Sequence, residues 1–442
     1  MNLLQRIKAA IIPSQGDAGN KYFQSLFSYF NGDMMYNIPD NPRAYVAEGY
    51  QNNPDVYAVV NMIAKKAASV PFYVYVVSNK KSFNRTKNNK FNLLKKGLDE
   101  VEGTELNAIM ARPNEMQGQQ EFIESMVAFL EITGNAYAYK FFPEVGRNKG
   151  VPTKMYPMPS QYTQIIGNGT FRPIGGYKLQ IGDQAIQFND NEVAHIRFFN
   201  PKFDISGTEL YGQSPLKAAS LTVASSNEGT KAKAKAFANG GVAGLLFSGD
   251  KEALLDGEQI SKINQQIDTK LMGADNYKRI VATNGIIDYK QIGMSPADLE
   301  IIKSIGADRD TICRVFGVDP ILFATDSSSY NNKELAYKGL VTNTVIPILN
   351  IIRDMFNYHL ASYYSLRDGV EYYIDYDAQA FPEMQKDMEK IVSQMKEAWW
   401  ITPNEKRDAM NYDRLDQEDM DRVLVPTNLT YLDELGMSDK AL

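Results

Sequence analysis

Gly212-Gln213-Ser214-Pro215-Leu216-Lys217-Ala218-Ala219-Ser220 is the stretch on which the fold turns. Serine is a good helix N-cap, and proline suits the first helical position, where its missing N–H would go unpaired anyway. The pattern predicts a helix from Pro215 to Asn239, ended by Gly240-Gly241. At 1.5 Å per residue those 25 residues span about 38 Å, long for a helix of an ordinary domain. Small side chains dominate it, among them Ala218, Ala219, Ala224, Ser225, Gly229, Ala232, Ala236 and Ala238. An Ala-rich core helix is one interpretation. The length and the lack of bulky anchors favour a helix that packs on copies of itself.

Downstream, residues 241–293 are predicted to form a small αβ module. It comprises a strand at Val242–Phe247, a helix at Leu255–Leu271 and strands at Arg279–Ala282 and Ile287–Gln291. Ser295-Pro296-Ala297-Asp298 repeats the Ser-Pro helix start, with an acid suited to the helix dipole, and this second helix runs to Phe316. Thr325 to Asn332 is a polar loop. A long helix from about Lys333 to Tyr364 follows, which Pro347 should kink. Val370–Tyr376 reads as a strand, Pro382–Trp400 as an amphipathic helix, and Thr402-Pro403 as another helix start.

Upstream, apolar residues recur at helical spacing from Val56 to Val70, Pro71 stops that helix, and Phe72–Val77 is strand-like. The segment Asn79–Lys96 carries seven bases and no acid, the pattern of a solvated loop or of a contact to a polyanion or an acidic partner. Residues 104–132 read as helical with a break at Arg112-Pro113-Asn114. Five short strands are predicted, at Ala136–Phe142, Lys154–Met158, Thr163–Ile166, Tyr177–Ile181 and Glu192–Phe198. No regular βαβ alternation appears, so the fold class is α+β.

Composition narrows the function. With 44% hydrophobic residues in 442 the chain can bury a real core. Its one cysteine, Cys313, forms no internal disulfide or cysteine-based zinc site and is expected to be a small buried residue. The first residues mix charges into their apolar stretch, unlike a signal peptide, and no apolar run approaches a membrane span. A reducing, aqueous compartment is expected, and no membrane partner. The net charge is −6, from 47 bases and 53 acids, which argues against a protein that coats nucleic acid. The acidity is local: residues 375–442 hold 16 acids and 8 bases, leaving 37 and 39 in residues 1–374.

Catalytic motifs are missing. No glycine is followed by lysine, which removes the usual phosphate-binding loop. Gly212-Gln213-Ser214-Pro215-Leu216 starts like a nucleophile elbow but lacks the closing glycine. The only histidines are His195, read as a satisfied strand residue, and His359. Asp375-Tyr376-Asp377 has no third carboxylate at ligand spacing. The expectation is no enzyme, no catalytic residue, no metal and no cofactor.

Eight short motifs then occur in a characteristic order. They are Val70-Pro71, Arg112-Pro113-Asn114, Gly134-Asn135-Ala136-Tyr137-Ala138, Tyr156-Pro157-Met158-Pro159, Glu192-Val193-Ala194-His195-Ile196-Arg197, Gly212-Gln213-Ser214-Pro215-Leu216, Phe316-Gly317-Val318-Asp319-Pro320 and Ile401-Thr402-Pro403-Asn404-Glu405-Lys406-Arg407. Across about residues 55–425 the chain resembles the portal, or head–tail connector, proteins of tailed bacteriophages. The resemblance implies a portal fold divided into an N-terminal arm (1–50), a mixed α/β wing (51–210, completed with a kinked helix by 335–378), two stem helices (211–240 and 295–317), a small αβ clip (241–294), a tunnel loop (318–334) and a helical crown (379–442).

It also implies a homo-oligomeric ring, usually of twelve subunits, at one capsid vertex of the virion, assembled in the host cytoplasm. Expected partners are the terminase large subunit, head–tail adaptors, the major capsid and scaffold proteins, and double-stranded DNA that passes without tight binding. Thr325, Ser327, Ser328, Ser329, Tyr330, Asn331, Asn332 and Lys333 would face DNA. Lys231 and Lys235 share a stem-helix face that lines the tunnel or points outward, and Lys278 and Arg279 would dock the motor or adaptors. The alternatives are a capsid-vertex or tail adaptor without DNA passage and, further off, a hydrolase using His195 or His359.

Overall fold

A computed structural model describes residues 41–80, 83, 97–168, 173–202, 207–238, 244–248, 258, 261, 287–291, 296–324, 330–410, 412 and 414–423. A short helical turn, Pro42–Ala44, runs into a π-helical stretch, Tyr45–Gln51. Helix α1 (Pro54–Ala68) follows because Asn53 caps it: its Oδ1 accepts from Asp55 N and Val56 N at 3.1 and 3.0 Å, and Pro54 fills the first position. Its apolar face, Val56, Val59, Val60, Ile63 and Ala67, is buried. Strand β1 (Phe72–Val77) and the three-residue β2 (Leu98–Glu100) precede helices α2 (Glu105–Ala111) and α3 (Gln119–Thr133). Helix α3 packs Phe122, Ile123, Met126, Val127 and Leu130 into the same core as α1.

Strands β3 (Asn135–Phe141), β4 (Lys154–Met158) and β8 (Val193–Arg197) form one antiparallel sheet in the order β4-β3-β8. Strands β5 (Thr163–Gly167), β6 (Ile174–Ile181) and β7 (Gln184–Asn189) form a second. Tyr137, Met158, Ile165, Tyr177, Val193, Leu210 and Tyr211 make a small separate core there.

The Ser214 start opens two pieces rather than one helix: α4 (Pro215–Ala218) and α5 (Ser220–Ala238). Ala219 breaks them with ψ near 5°. The reason is local: Ser214, Leu216 and Ala219 are all buried, so the first turn follows the surface of the body. Strands β9 (Gly244–Ser248) and β10 (Ile287–Gln291) pair antiparallel, as two of the four elements expected for the inserted module. The expected helix at 255–271 and the strand at 279–282 lie outside the described residues, apart from two isolated positions. Helix α6 (Pro296–Val315) follows.

The long helix covers Tyr330–Asp368 in five pieces: α7 (Tyr330–Leu340), a π-helical turn Val341–Val345, α8 (Ile346–Phe356), a second π turn Asn357–Ala361, and α9 (Ser362–Asp368). Pro347 was expected to kink a plain helix; instead a π turn precedes it, with Ile346 N–H bonded to Val341 O five residues back. Proline's ring crowds the carbonyl four residues before it, and a π turn takes in the extra residue there. From Asn332 to Asp368 this helix is long and apolar enough to cross a membrane by length and composition. Its apolar face, however, including Val345, Leu349, Ile352 and Phe356, is packed in the main core. Phe356 meets Phe72 edge-on at 5.4 Å and lies 6.1 Å from Phe122.

Strand β11 (Tyr372–Tyr376) completes the body by pairing antiparallel with β1, Phe72 opposite Tyr376 and Val74 opposite Ile374. That register joins residues 300 positions apart in one sheet, β11-β1-β2. Helices α10 (Pro382–Glu397) and α11 (Pro403–Ala409) follow. Strands β2 and β7 were not expected from the sequence. β2 is three residues long with two of them charged, and β7 is mostly exposed with only Ile186 and Phe188 alternating, so neither carries a pattern long enough to read.

Candidate functional site

The residues that launch the α4–α5 arm meet at one backbone joint. Gly134 ends α3 in the left-handed conformation, φ +76°, which favours glycine. A Cβ there would sit 2.5 Å from Gln213 C, and one on Gly212 only 1.9 Å from Gly134 O. The two glycines therefore let two chain segments touch backbone to backbone. Asn135 fastens them: its Oδ1 accepts from Gly212 N at 2.7 Å, and its Nδ2 donates to Gly212 O and Thr133 O at 3.2 and 3.0 Å. Ser214 Oγ donates to Ile132 O at 2.6 Å and caps Leu216 N at 3.0 Å. Phe198 N closes the joint on Gly134 O at 2.9 Å.

His195 belongs to this joint. Its Nε2 lies 3.1 Å from Asn135 Oδ1, and its ring stacks on Tyr137 at 4.3 Å. An amide oxygen only accepts, so Nε2 carries the proton. Burial, then Arg197 and His359 nearby, hold the imidazole well below its ordinary 6.5, so it is neutral. His195 is the satisfied strand histidine the sequence suggested.

From the joint, α5 runs outward and α6 returns. The two pack antiparallel: Ser225 Oγ, early in α5, donates to Asp308 Oδ2, late in α6, at 3.0 Å. Asn227 ties α5 to the body, donating to Glu48 O at 2.9 Å and accepting from Asn53 Nδ2 at 2.9 Å. One side of α5 is open, with Leu221 86% exposed and Ala224 exposed in the next turn. Ile312 and Cys313 in the last turn of α6, and Phe316 just past it, are all buried. Gly317, φ +69°, then turns the chain, its carbonyl accepting from Thr344 Oγ1 at 2.7 Å. Thr344 lies in the first π turn, so the returning helix docks directly on the long one. Asp319 Oδ1 caps Ile321 N at 3.0 Å.

Beyond this turn a cleft of about 400 Å³ lies between residues 317–321 and α7, lined by Asn332, Leu335 and Gly339 among others. Lys333 bends back, Nζ to Ala324 O at 3.4 Å, bracing the two edges of the loop. Thr325, Ser327, Ser328 and Ser329 lie outside the described residues; Tyr330, Asn331 and Asn332 open α7, Asn332 exposed. Lys231 is exposed and paired with Glu228 at 2.8 Å. Lys235 is on α5 with its side chain outside the described residues, as are Lys278 and Arg279 entirely. The structure thus brings together the α5–α6 pair and the edges of the loop, and leaves the expected contact residues of the inserted module undescribed. Among the described residues no cluster of His, Cys, Asp and Glu has metal-binding form.

The family model for the phage portal protein matches residues 54–411. The chain belongs to that family. The portal protein of Enterobacteria phage HK97 is 27% identical over 217 residues, 48% of this chain and 46% of its own length. The portal protein of Escherichia phage T5 is 22% identical over 323 residues, 72% of this chain and 73% of its own. In structure, the chain is similar to a protein from the neck of gene transfer agent particles, determined with C6 and with C12 symmetry. The TM-scores are 0.64 and 0.62 at 21% identity, covering 89% of this chain and 99% of that one. The mixed helix-and-sheet portal fold and the portal family expected from the eight motifs are borne out.

Membership explains what the motifs do. Asn114 folds its own turn, accepting from Met116 N and Gln117 N, and holds Met155 O. Thr402 and Glu405 cap α11 reciprocally, and Asn404 ties it to Leu415 and Asp421. The portal motifs are mostly joints and caps. Sequence reasoning missed Lys140 on β3, buried beside His359 at 3.2 Å. A lysine within an aromatic strand was the available signal.

Proposed function

We propose that this chain is the subunit of a portal ring at one capsid vertex of a virion, the conduit for DNA entering during packaging and leaving at ejection. The observation that carries this is the antiparallel α5–α6 pair leaving the body at Gly212–Ser214 and returning at Phe316–Gly317, with Leu221 open on its surface. Such a pair suits a closed ring, in which each copy packs head-to-tail on the next. The C12 and C6 symmetry of the similar neck structures supports the same arrangement. In this assignment α5 and α6 are the stem, the β9–β10 module the clip that docks terminase and later adaptors, the three body sheets the wing, residues 325–332 the tunnel loop and α10–α11 the start of the crown.

Charge supports a conduit over a binder. Duplex DNA carries one charge per ~1.7 Å, and a lining that neutralised many phosphates would hold it with steep salt dependence. Lys231 is neutralised by Glu228, and Lys333 is drawn to a backbone carbonyl, which leaves the described flanks weakly attractive. Electron microscopy of the purified protein tests the assembly: rings with a central channel wide enough for duplex DNA are expected, and only monomers and dimers across salt conditions would overturn it. A ring without such a channel would favour an adaptor role. Deleting Ser327 to Asn331 is expected to leave rings intact while lowering the yield of filled capsids; an unchanged yield would remove the loop from contact with DNA.

A further inference from the structure

Lys140 is 1% exposed. Among the described residues no carboxylate lies within ion-pair distance of it. Its Nζ instead sits 3.2 Å from Nδ1 of His359 and faces the rings of Tyr363 and Phe142, 4.9 and 5.6 Å from their centres. As an ammonium the lysine only donates, so His359 presents its Nδ1 lone pair and is neutral, and the neutral amine still has N–H groups to donate there, so the contact survives loss of the proton. His359 lies in the second π turn of the long helix, and Lys140 on the central strand of sheet β4-β3-β8. The contact therefore bridges the sheet and an irregular turn of the helix that begins, at its other end, beside residues 325–329.

Burying a cation without a counter-charge is costly, and an apolar side chain would hold the same place more firmly. A lysine there adds sensitivity to protons. Among the described residues, the charged and titratable groups around the pair come from three elements. Asp190, from the turn before β8, favours the charged lysine. Tyr363 and Tyr358 come from the helix, and His195, with Arg197 behind it, faces His359 from β8. Burial wins over Asp190.

We propose that Lys140 and His359 form a proton-controlled latch between the sheet β4-β3-β8 and the second π turn, loosened when the lysine holds its proton and tightened when it loses it. Burial pulls Lys140 from its ordinary 10.5 down to about 8, and burial with the lysine charge pushes His359 to about 3. In the opened joint the lysine is solvated and keeps the higher value. Between about 8 and 10.5 the open state binds the extra proton, so raising pH favours the closed joint. Below about 8 the lysine penalty is fully present, and between about 6.5 and 3 His359 adds a second step of the same sign, so acid favours opening further. A π turn that relaxes to α-helix changes the register by one residue, about 100° and 1.5 Å.

Hydrogen exchange of the assembled full chain tests this, read on peptides covering 357–361 and 135–141 and corrected for the intrinsic pH dependence of exchange. Wild-type protection should climb by up to tenfold per pH unit from about pH 8 upward, the slope of one linked proton. Between about pH 8 and 10.5, Lys140→Met should be well protected with no step, and Lys140→Arg, charged throughout, should stay poorly protected with no step. Absence of the step in the wild-type protein overturns the latch, and this outcome needs no variant to fold. A step of the same size in Lys140→Met overturns it too.

Discussion

Asn135→Ala is the sharpest test of the joint. Asn135 is 6% exposed and holds four partners: Thr133 O, Gly212 O, Gly212 N and His195 Nε2. Truncation leaves those groups buried and unpaired. An orphaned buried polar group costs ~1–3 kcal/mol, and partial repacking with water recovers some of it, so a loss of ~3–5 kcal/mol is expected. At ~2.1 cal/mol/K of unfolding entropy per residue, a chain unfolding as one unit would lose about 3–5 °C in Tm. Asn135→Asp keeps the acceptor for Gly212 N and His195 but turns its other oxygen toward the Thr133 and Gly212 carbonyls and buries a charge there, so at pH 7 it should cost at least as much as alanine. The assay is thermal unfolding followed by fluorescence at pH 7, with ring assembly scored by microscopy. The joint sets where α4 leaves the body, so rings should be lost before secondary structure. A shift under 1 °C with normal rings would refute the idea that this side chain fastens the arm.

Other outcomes follow from single residues. Gly212→Ala should yield little soluble protein, because its Cβ would lie 1.9 Å from Gly134 O, and expression with gel filtration would show it. Glu131 is 3% exposed and burial pushes its carboxyl up to about 8, against an ordinary 4.5. The folded state keeps that proton across 4.5–8 while the unfolded chain releases it, so this contribution to stability falls as pH rises through the window. Glu131→Gln should flatten the fall and be more stable than the wild type at pH 8, checked by Tm against pH. Lys231→Ala breaks a solvent-exposed pair, which water and salt screen, and should leave Tm unchanged within the error of the same thermal scan.

Much of the architecture was legible because it is written locally. The cap at Asn53-Pro54, the stop at Pro71, the break at Arg112-Pro113-Asn114 and the start at Ser214-Pro215 each act within a few residues, so the observed elements begin and end near the expected places. The break at Ala219 was not legible, because what bends the chain there is burial of Leu216 and Ser214 against a distant surface. The two π turns escaped for a similar reason: nothing in Val341–Val345 or Asn357–Ala361 departs from a helical pattern except the neighbouring Pro347. At the loop, the sequence shows a polar stretch from Thr325 to Asn332, but only the tertiary structure ties Lys333 back to Ala324.

By itself the sequence determined the class of the fold and the order of most of its helices and strands, since these rest on caps, glycine turns and periodicity acting over short range, and eight motifs in order carried the resemblance to the family. Tertiary structure alone decided that β1 pairs with β11, that Gly134 meets Gly212, and that Lys140 lies buried against His359. Those contacts join residues dozens to hundreds of positions apart. Their energies come from burial and from satisfying polar groups removed from water, and neither quantity exists until the chain has closed on itself.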